Sequence, residues 1–335
     1  MIPPLGLLTF EPILVLKPWG GRALERFGKT LPIGELVGES WEIADLPDGT
    51  ATDAAESHSY VASGPQRGLA LSALIATYGS DFLGTATAMP DGAFALLVKL
   101  LDANEHLSIQ VHPNAEYVAR HSGAALKTES WYVLDARPGA ALYKGFRDGV
   151  SIADVAATAG TPAVVELLQT FDARPGDFHH LPAGVVHALG AGVVVAETQT
   201  PSDTTFRIYD WTEEYGREPR TLHITEALDT LEMSSDLGTY LAPSQVDRTR
   251  LLIATDHYWQ REHRYDAGKI ALHNAEELRV LMVADGSVSI QAPGEGATVF
   301  PIGSTIVLPA VIATETTVHV VQPTVLLETG LVNGP

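Results

Sequence analysis

The stretch between residues 107 and 207 constrains the fold more than any other part of the chain. Four short segments with strand-like alternation succeed one another there, separated by glycine and proline turns. In LSIQVHP a period of two places Ser108, Gln110 and His112 on one face and Leu107, Ile109 and Val111 on the other. In KTESWY the same period puts Lys127, Glu129 and Trp131 together, and His187 comes after a Pro182-Ala183-Gly184 turn within a run of valines. Gln110, His112, Glu129 and His187 can then converge on one divalent cation. A lone histidine or glutamate in such a strand is more often a satisfied core or surface residue, so the case rests on the four together.

What else the site can hold depends on composition. The 335 residues include no cysteine, so any metal must be held by imidazole, carboxylate or amide oxygen. A formal net charge of -20 argues against a nucleic-acid or anionic-membrane partner, though it leaves room for a small anion in a local basic pocket. The opening MIPPLGLLTFEPILVL is apolar, but it has no basic leader and is broken by Pro3, Pro4 and Pro12. No apolar run reaches membrane-spanning length, and the expected location is cytoplasmic.

Along the chain, Trp19 and Trp41 sit beside glycines and read as core or rim packing. The spacing of Leu71, Leu74, Ile75, Tyr78 and Phe82 predicts a helix over 69–83. FALLVKLLDA reads as a buried strand whose one charge, Lys99, either snorkels to solvent or reaches a partner in a cavity. A hairpin turns at Arg137-Pro138-Gly139, and two helical patterns with Ser151 and Thr161 at their starts form an insertion over about 151–171. TLHITEALDTL reads as a further helix, and residues 234–247 as a polar connector. Gly176, Leu181, Pro182 and Ala183 recur at the same spacing as Gly303, Leu308, Pro309 and Ala310, with Thr314 where His187 would fall. The expected organisation is a metal-binding unit over 1–233 and a second unit over 248–335 without metal ligands, acting by packing and shielding. His121, His179 and His180 are expected in loops or in support of the site.

Gly176, Pro182, Gly184 and His187 together resemble the second motif of the cupins, in which that histidine binds a metal inside a jelly-roll barrel. LSIQVHP, KTESWY, PAGVVHALG and ETQTPSDTTFR resemble, in order, segments of the type I mannose-6-phosphate isomerases, particularly their short bacterial form, over about residues 17 to 231. Ser130 stands where that family more often has a bulkier residue. The resemblance implies a mainly β chain of two cupin-like jelly-roll barrels with a small helical insertion. It implies one Zn2+ per chain on Gln110, His112, Glu129 and His187, and interconversion of mannose 6-phosphate and fructose 6-phosphate. Glu197 and Arg207 match positions associated with proton transfer and with transition-state or phosphate binding; an ion pair between them that merely joins two strands is the plainer alternative. Lys127, on the Glu129 face, is a rival base if burial depresses its pKa. Ser108, Lys99 and Arg207 are the phosphate candidates. A sugar-sensing cupin and an iron-dependent cupin oxygenase stay open. The joint presence of Glu197, Arg207 and Lys127 counts against the sensor, and Gln110 with the ETQTPSDTTFR segment favours the isomerase over the oxygenase.

Overall fold

The computed structural model describes residues 2–51, 54–234, 236–246, 248–273 and 275–332. Asp247, at the end of the expected connector, lies outside them, as do Met1 and the last three residues of the second expected unit. The described residues are mainly β and form three antiparallel sheets. In spatial order the first contains Ile13–Gly21, Val37–Ile43, Leu97–Ala103, Val193–Gln199, Glu129–Ala136, Phe178–Leu181 and Tyr240–Leu241. The second contains Phe206–Tyr209, Ile109–Val111, His187–Leu189, Ala141–Phe146 and Leu168–Asp172. These two sheets lie face to face: Leu101, Trp131, Val193 and Val195 of the first share one buried cluster with Leu142 and Leu189 of the second.

The central strands of the first sheet are buried on both faces, which is why LVKLLDA and VVVAETQ read as nearly continuous apolar runs rather than alternating ones. Their outer face, through Val98, Leu100, Val194 and Ala196, packs on Leu252, Tyr258, Val280 and Leu327 of the third sheet. Each fully buried valine or leucine among them contributes about 1.5–3 kcal/mol. In the third sheet the long strands Arg279–Gln291 and Thr317–Leu331 lose register between Val283 and Val288. Gly286, at φ 70, allows the bend there, and the sheet closes over Leu281, Val283, Val288, Ile290, Ile306 and Leu326. The start of the chain joins this sheet, since the Leu8 amide donates to the Val307 carbonyl at 3.0 Å and the Val307 amide returns the bond at 2.8 Å.

The helix expected over 69–83 is present as Leu71–Tyr78 and Ser80–Leu83, interrupted at Gly79. Ile224–Thr230 is also helical as expected. The insertion differs in its second half. Ser151 caps Ile152–Thr158 through a capping box with Asp154, but Pro162–Leu167 is a 3-10 turn and Leu168–Asp172 is a strand. Thr170 and Phe171 suit a strand, and pairing with Ala141–Phe146 satisfies that backbone. No described helix is long and apolar enough to cross a membrane.

The internal repeat holds in sheet position and fails beyond its proline. Leu181 pairs with Glu129, and Leu308 pairs with Arg279. After Pro182 the chain turns into the strand bearing His187, whereas after Pro309 it forms the helix Ala310–Ala313, so Thr314 ends a helix and has no strand position like that of His187. By the same register Arg279 stands where Glu129 stands, and Glu328, opposite Leu281, stands where Glu197 faces Trp131. Glu328 is wholly buried, 2.9 Å from His263 Nε2 and 3.2 Å from Arg279 Nε. Burial alone would raise its carboxyl, but the His263 hydrogen bond and neighbouring positive charge hold it below its ordinary value. The third sheet therefore fills this position with an internal ion pair. Arg279→Met should cost about 3–5 kcal/mol in urea unfolding, because it leaves that carboxylate with its main cation gone. A loss below about 1 kcal/mol would mean that His263 alone compensates it.

Candidate active site

The strand Ile109–Val111 lies between Phe206–Tyr209 and His187–Leu189, and its Gln110 pairs with Arg207 on one side and His187 on the other. Paired residues of a sheet share a face, so these three side chains look inward together. From the opposite sheet Glu129 reaches the same point. His112 Nε2 lies 3.2 Å from Glu129 Oε2, His187 Nε2 lies 3.3 Å from Glu129 Oε1, and the two Nε2 atoms are 3.2 Å apart. A tetrahedral ion with bonds of about 2.0 Å separates its ligands by about 3.3 Å. His112, Glu129 and His187 are all buried, with ligand atoms within 4.8 Å of one another.

The tautomers are set by the outer contacts. His112 Nδ1 faces the Thr204 carbonyl at 3.0 Å, and His187 Nδ1 faces the Val185 carbonyl at 2.8 Å. Each imidazole can donate there, leaving Nε2 as a lone pair aimed at the common point. Burial pushes His112 down to about 3, aided by the Lys127 charge and opposed by Glu129, so its ring is neutral. Glu129 is pushed up by burial, yet Lys127 and His112 outweigh this and hold it well below the usual carboxylate range. Lys127 Nζ is 3.2 Å from Glu129 Oε2, but no donor is aligned on either buried oxygen. Two inward lone pairs and an unsatisfied carboxylate are what a resident cation would satisfy. Gln110 adds an amide: Nε2 is 3.4 Å from His187 Nε2, and Oε1 accepts from Ser108 Oγ at 3.1 Å. Turned over, the amide presents its oxygen to the same point.

A cavity of about 60 Å³ opens beside these ligands, with Ser108, Lys127, Lys99, Glu197 and Arg207 all on its wall. Past Asp203, Thr205, Arg207 and Arg220 it continues into a groove of about 570 Å³. Lys99 does not snorkel: it is buried, 3.3 Å from Glu39 and 3.5 Å from Glu197. Glu197 takes the Trp131 indole N–H on Oε2 at 2.8 Å, while Oε1 has no aligned donor. Burial and the nearby Glu129 charge raise the Glu197 carboxyl above its ordinary value, against Lys99 and Lys127. Lys99, Lys127 and the Trp131 hydrogen bond supply the lowering influence on Glu197, and Arg207 Nη1 donates to the Thr221 carbonyl at 3.4 Å.

The other histidines divide differently from expectation. His121 stacks on Tyr117 outside the site. His179 and His180 are not in a loop; both lie in the buried strand Phe178–Leu181, and His180 Nδ1 contacts Ser130 Oγ at 3.1 Å. Ser130 Oγ also meets the Tyr258 hydroxyl at 2.8 Å, and that hydroxyl donates to the Thr198 carbonyl at 3.2 Å. The third sheet thus braces the strands that carry Glu129 and Glu197. Four wall residues are not evident from the sequence: Lys17, Glu39, Asp203 and Arg220. Arg220 is held in place by Asp210, with Nε donating at 2.7 Å and Nη2 to the second oxygen. The alternation of GESWEI, which places Glu39 beside Trp41, is the available signal for Glu39.

Residues 7–137 match the family described as phosphomannose isomerase type I, catalytic domain. Mannose-6-phosphate isomerase ManA of Bacillus subtilis is 35% identical over 230 residues, which span 68% of this chain and 69% of that protein. The crystal structure of the mannose 6-phosphate isomerase from Bacillus subtilis superposes with a TM-score of 0.81 at 27% identity, covering 97% of this chain and 99% of that one. The structure of a mannose 6-phosphate isomerase bound with zinc and yttrium has the same fold, with a TM-score of 0.72 at 17% identity over 98% of this chain and 100% of that one.

Proposed function

The chain belongs to the type I mannose-6-phosphate isomerases and interconverts mannose 6-phosphate and fructose 6-phosphate, and we propose that it does so by proton transfer through an enediol beside one zinc ion held by Gln110, His112, Glu129 and His187. The observation that carries this reading is the triangle of 3.2–3.3 Å contacts among two imidazole nitrogens and a carboxylate, whose neighbours Gln110 and Lys127 line the cavity that Glu197 also walls. Neutral imidazoles, one carboxylate and one amide oxygen leave a divalent ion with residual positive charge and room for a further ligand. Zinc bound there would supply Lewis acidity toward a substrate oxygen.

The chain's own residues do the rest. Glu197 Oε1, buried and without an aligned donor, accepts the C2 proton of the open-chain aldose and returns a proton to C1, while the proton of the C2 hydroxyl passes to the C1 oxygen as the enediol becomes the ketose. A carboxyl with a raised pKa suits both halves of that exchange, and the rate should fall as pH drops through that raised value, because the base must be ionised. Lys127, beside Glu129, and Arg207 face the negative charge that develops on the enediol oxygens. Lys99 and Ser108 on the cavity wall, with Arg220 where the cavity meets the groove, hold the phosphate.

Purified protein should convert mannose 6-phosphate to fructose 6-phosphate, lose that activity on complete metal removal with a chelator, and regain it with stoichiometric zinc. Turnover that survives verified metal removal would sink the zinc assignment, and absence of product from the metal-replete protein would sink the isomerase reading.

A further inference from the structure

Glu39 is a buried carboxylate on the cavity wall to which the proposed chemistry gives no task. Its Oε1 lies 3.3 Å from Lys17 Nζ, and its Oε2 lies 3.3 Å from Lys99 Nζ and accepts the Trp41 indole N–H at 2.7 Å. The contact with Lys17 depends on Gly38: a Cβ there would fall 2.6 Å from the Lys17 Cβ, so only glycine lets that stem cross the strand Val37–Ile43. Burial pushes the Glu39 carboxyl up, but Lys17 and Lys99 prevail and hold it far below the carboxylate range. It is therefore ionised at any working pH. Lys99 in turn lies 3.5 Å from Glu197 Oε1, the oxygen without an aligned donor. Lys17, Glu39, Lys99 and Glu197 thus alternate in sign across four neighbouring strands.

We propose that Glu39 is a positioning residue: it anchors the Lys17 and Lys99 ammonium groups to the cavity wall and shares Lys99 with Glu197, so that Glu197 keeps an oxygen open to the substrate proton. The proposal rests on the reading of Glu197 as the base. Without the Glu39 charge, the carboxylate left at ion-pair distance from Lys99 is Glu197, and an ammonium that closes on Oε1 occupies the atom that must accept the proton. The same change adds one net positive charge to a wall that faces a dianionic phosphate, so anions should bind better while chemistry slows. Loss of a merely structural ion pair would weaken both together.

The test is Glu39→Gln in the zinc-loaded enzyme, with kcat and KM for mannose 6-phosphate and competitive inhibition by inorganic phosphate. The expected result is a kcat lower by about 10-fold or more, together with phosphate inhibition tighter by roughly fivefold, as one unit charge at close range through a partly wet site would give. Glu39→Asp keeps the charge and should recover most of the lost kcat. Should Glu39→Gln fail to fold, Lys17→Met removes charge of the opposite sign from the same cluster and should weaken phosphate inhibition by roughly fivefold. Phosphate inhibition left unchanged, or weakened, in Glu39→Gln overturns the proposal, as does unchanged inhibition in Lys17→Met. Failure of the base assignment looks different: Glu197→Gln then turns over near the parental rate, while Glu39→Gln still tightens phosphate inhibition.

Discussion

Glu197→Gln is expected to lower turnover by about 2 to 4 orders of magnitude while leaving metal content and fold unchanged. The glutamine is nearly isosteric, and its amide oxygen can still accept the Trp131 indole N–H that fixes Oε2 at 2.8 Å. What it cannot do is take up a proton. Lys99 would retain Glu39 at 3.3 Å as its counter-charge, so the substitution leaves no buried ammonium without a carboxylate. KM should not rise, because Ser108, Lys99 and Arg220 keep their places on the wall and the substitution removes one carboxylate charge from it. A variant that isomerises at nearly the parental rate would make Glu197 a structural partner of Lys99 and Trp131, and Lys127 would become the leading base.

The second large effect is at the ligands. His112→Ala and His187→Ala should each lose bound metal on dialysis, and turnover should fall in step by at least about two orders of magnitude, since loss of a direct ligand exceeds the 10- to 100-fold typical of an outer partner. Both rings are fully buried, and each is tied to a backbone carbonyl through Nδ1, so each Nε2 is held in place toward the common point and alanine offers no donor there. Elemental analysis checks this alongside the assay. Full metal occupancy in either variant would remove that histidine from the ligand set.

Much of this site is legible from local pattern. The alternation of LSIQVHP does put Ser108, Gln110 and His112 on one side, and the Pro182-Ala183-Gly184 turn does deliver His187 into a strand beside Gln110. Such contacts need only period and turn chemistry. The unread part depends on register between strands far apart in sequence. Nothing within FALLVKLLDA says that Lys99 will lie between Glu39 and Glu197, because that needs the pairings of Trp41 with Lys99 and of Lys99 with Glu197. Trp41 reads as packing, and it does pack, but its indole N–H also orients Glu39. The same limit explains the repeat. Four matching residues locate Leu308 opposite Arg279, yet they do not tell that the chain after Pro309 turns helical, nor that Arg279 and Glu328 neutralise each other where the first unit keeps Glu129 and Glu197 apart. Pro162–Leu167 carries a helical pattern with proline at its start, but pairing with Ala141–Phe146 draws the next residues into a strand.

Proton transfer by the protein beside the proposed metal is tested most directly in deuterated solvent. Metal-replete protein is incubated with mannose 6-phosphate in D2O, and the fructose 6-phosphate formed is analysed for deuterium at C1, in parallel with Glu197→Gln. Proton transfer by Glu197 requires that a measurable fraction of product from the parent carries solvent deuterium at C1, because the carboxyl that accepted the C2 proton can exchange it before returning one, and that incorporation disappears in the variant together with turnover. Product that retains its carbon-bound hydrogen completely over many turnovers, or deuterium incorporation that persists undiminished in Glu197→Gln, would contradict it.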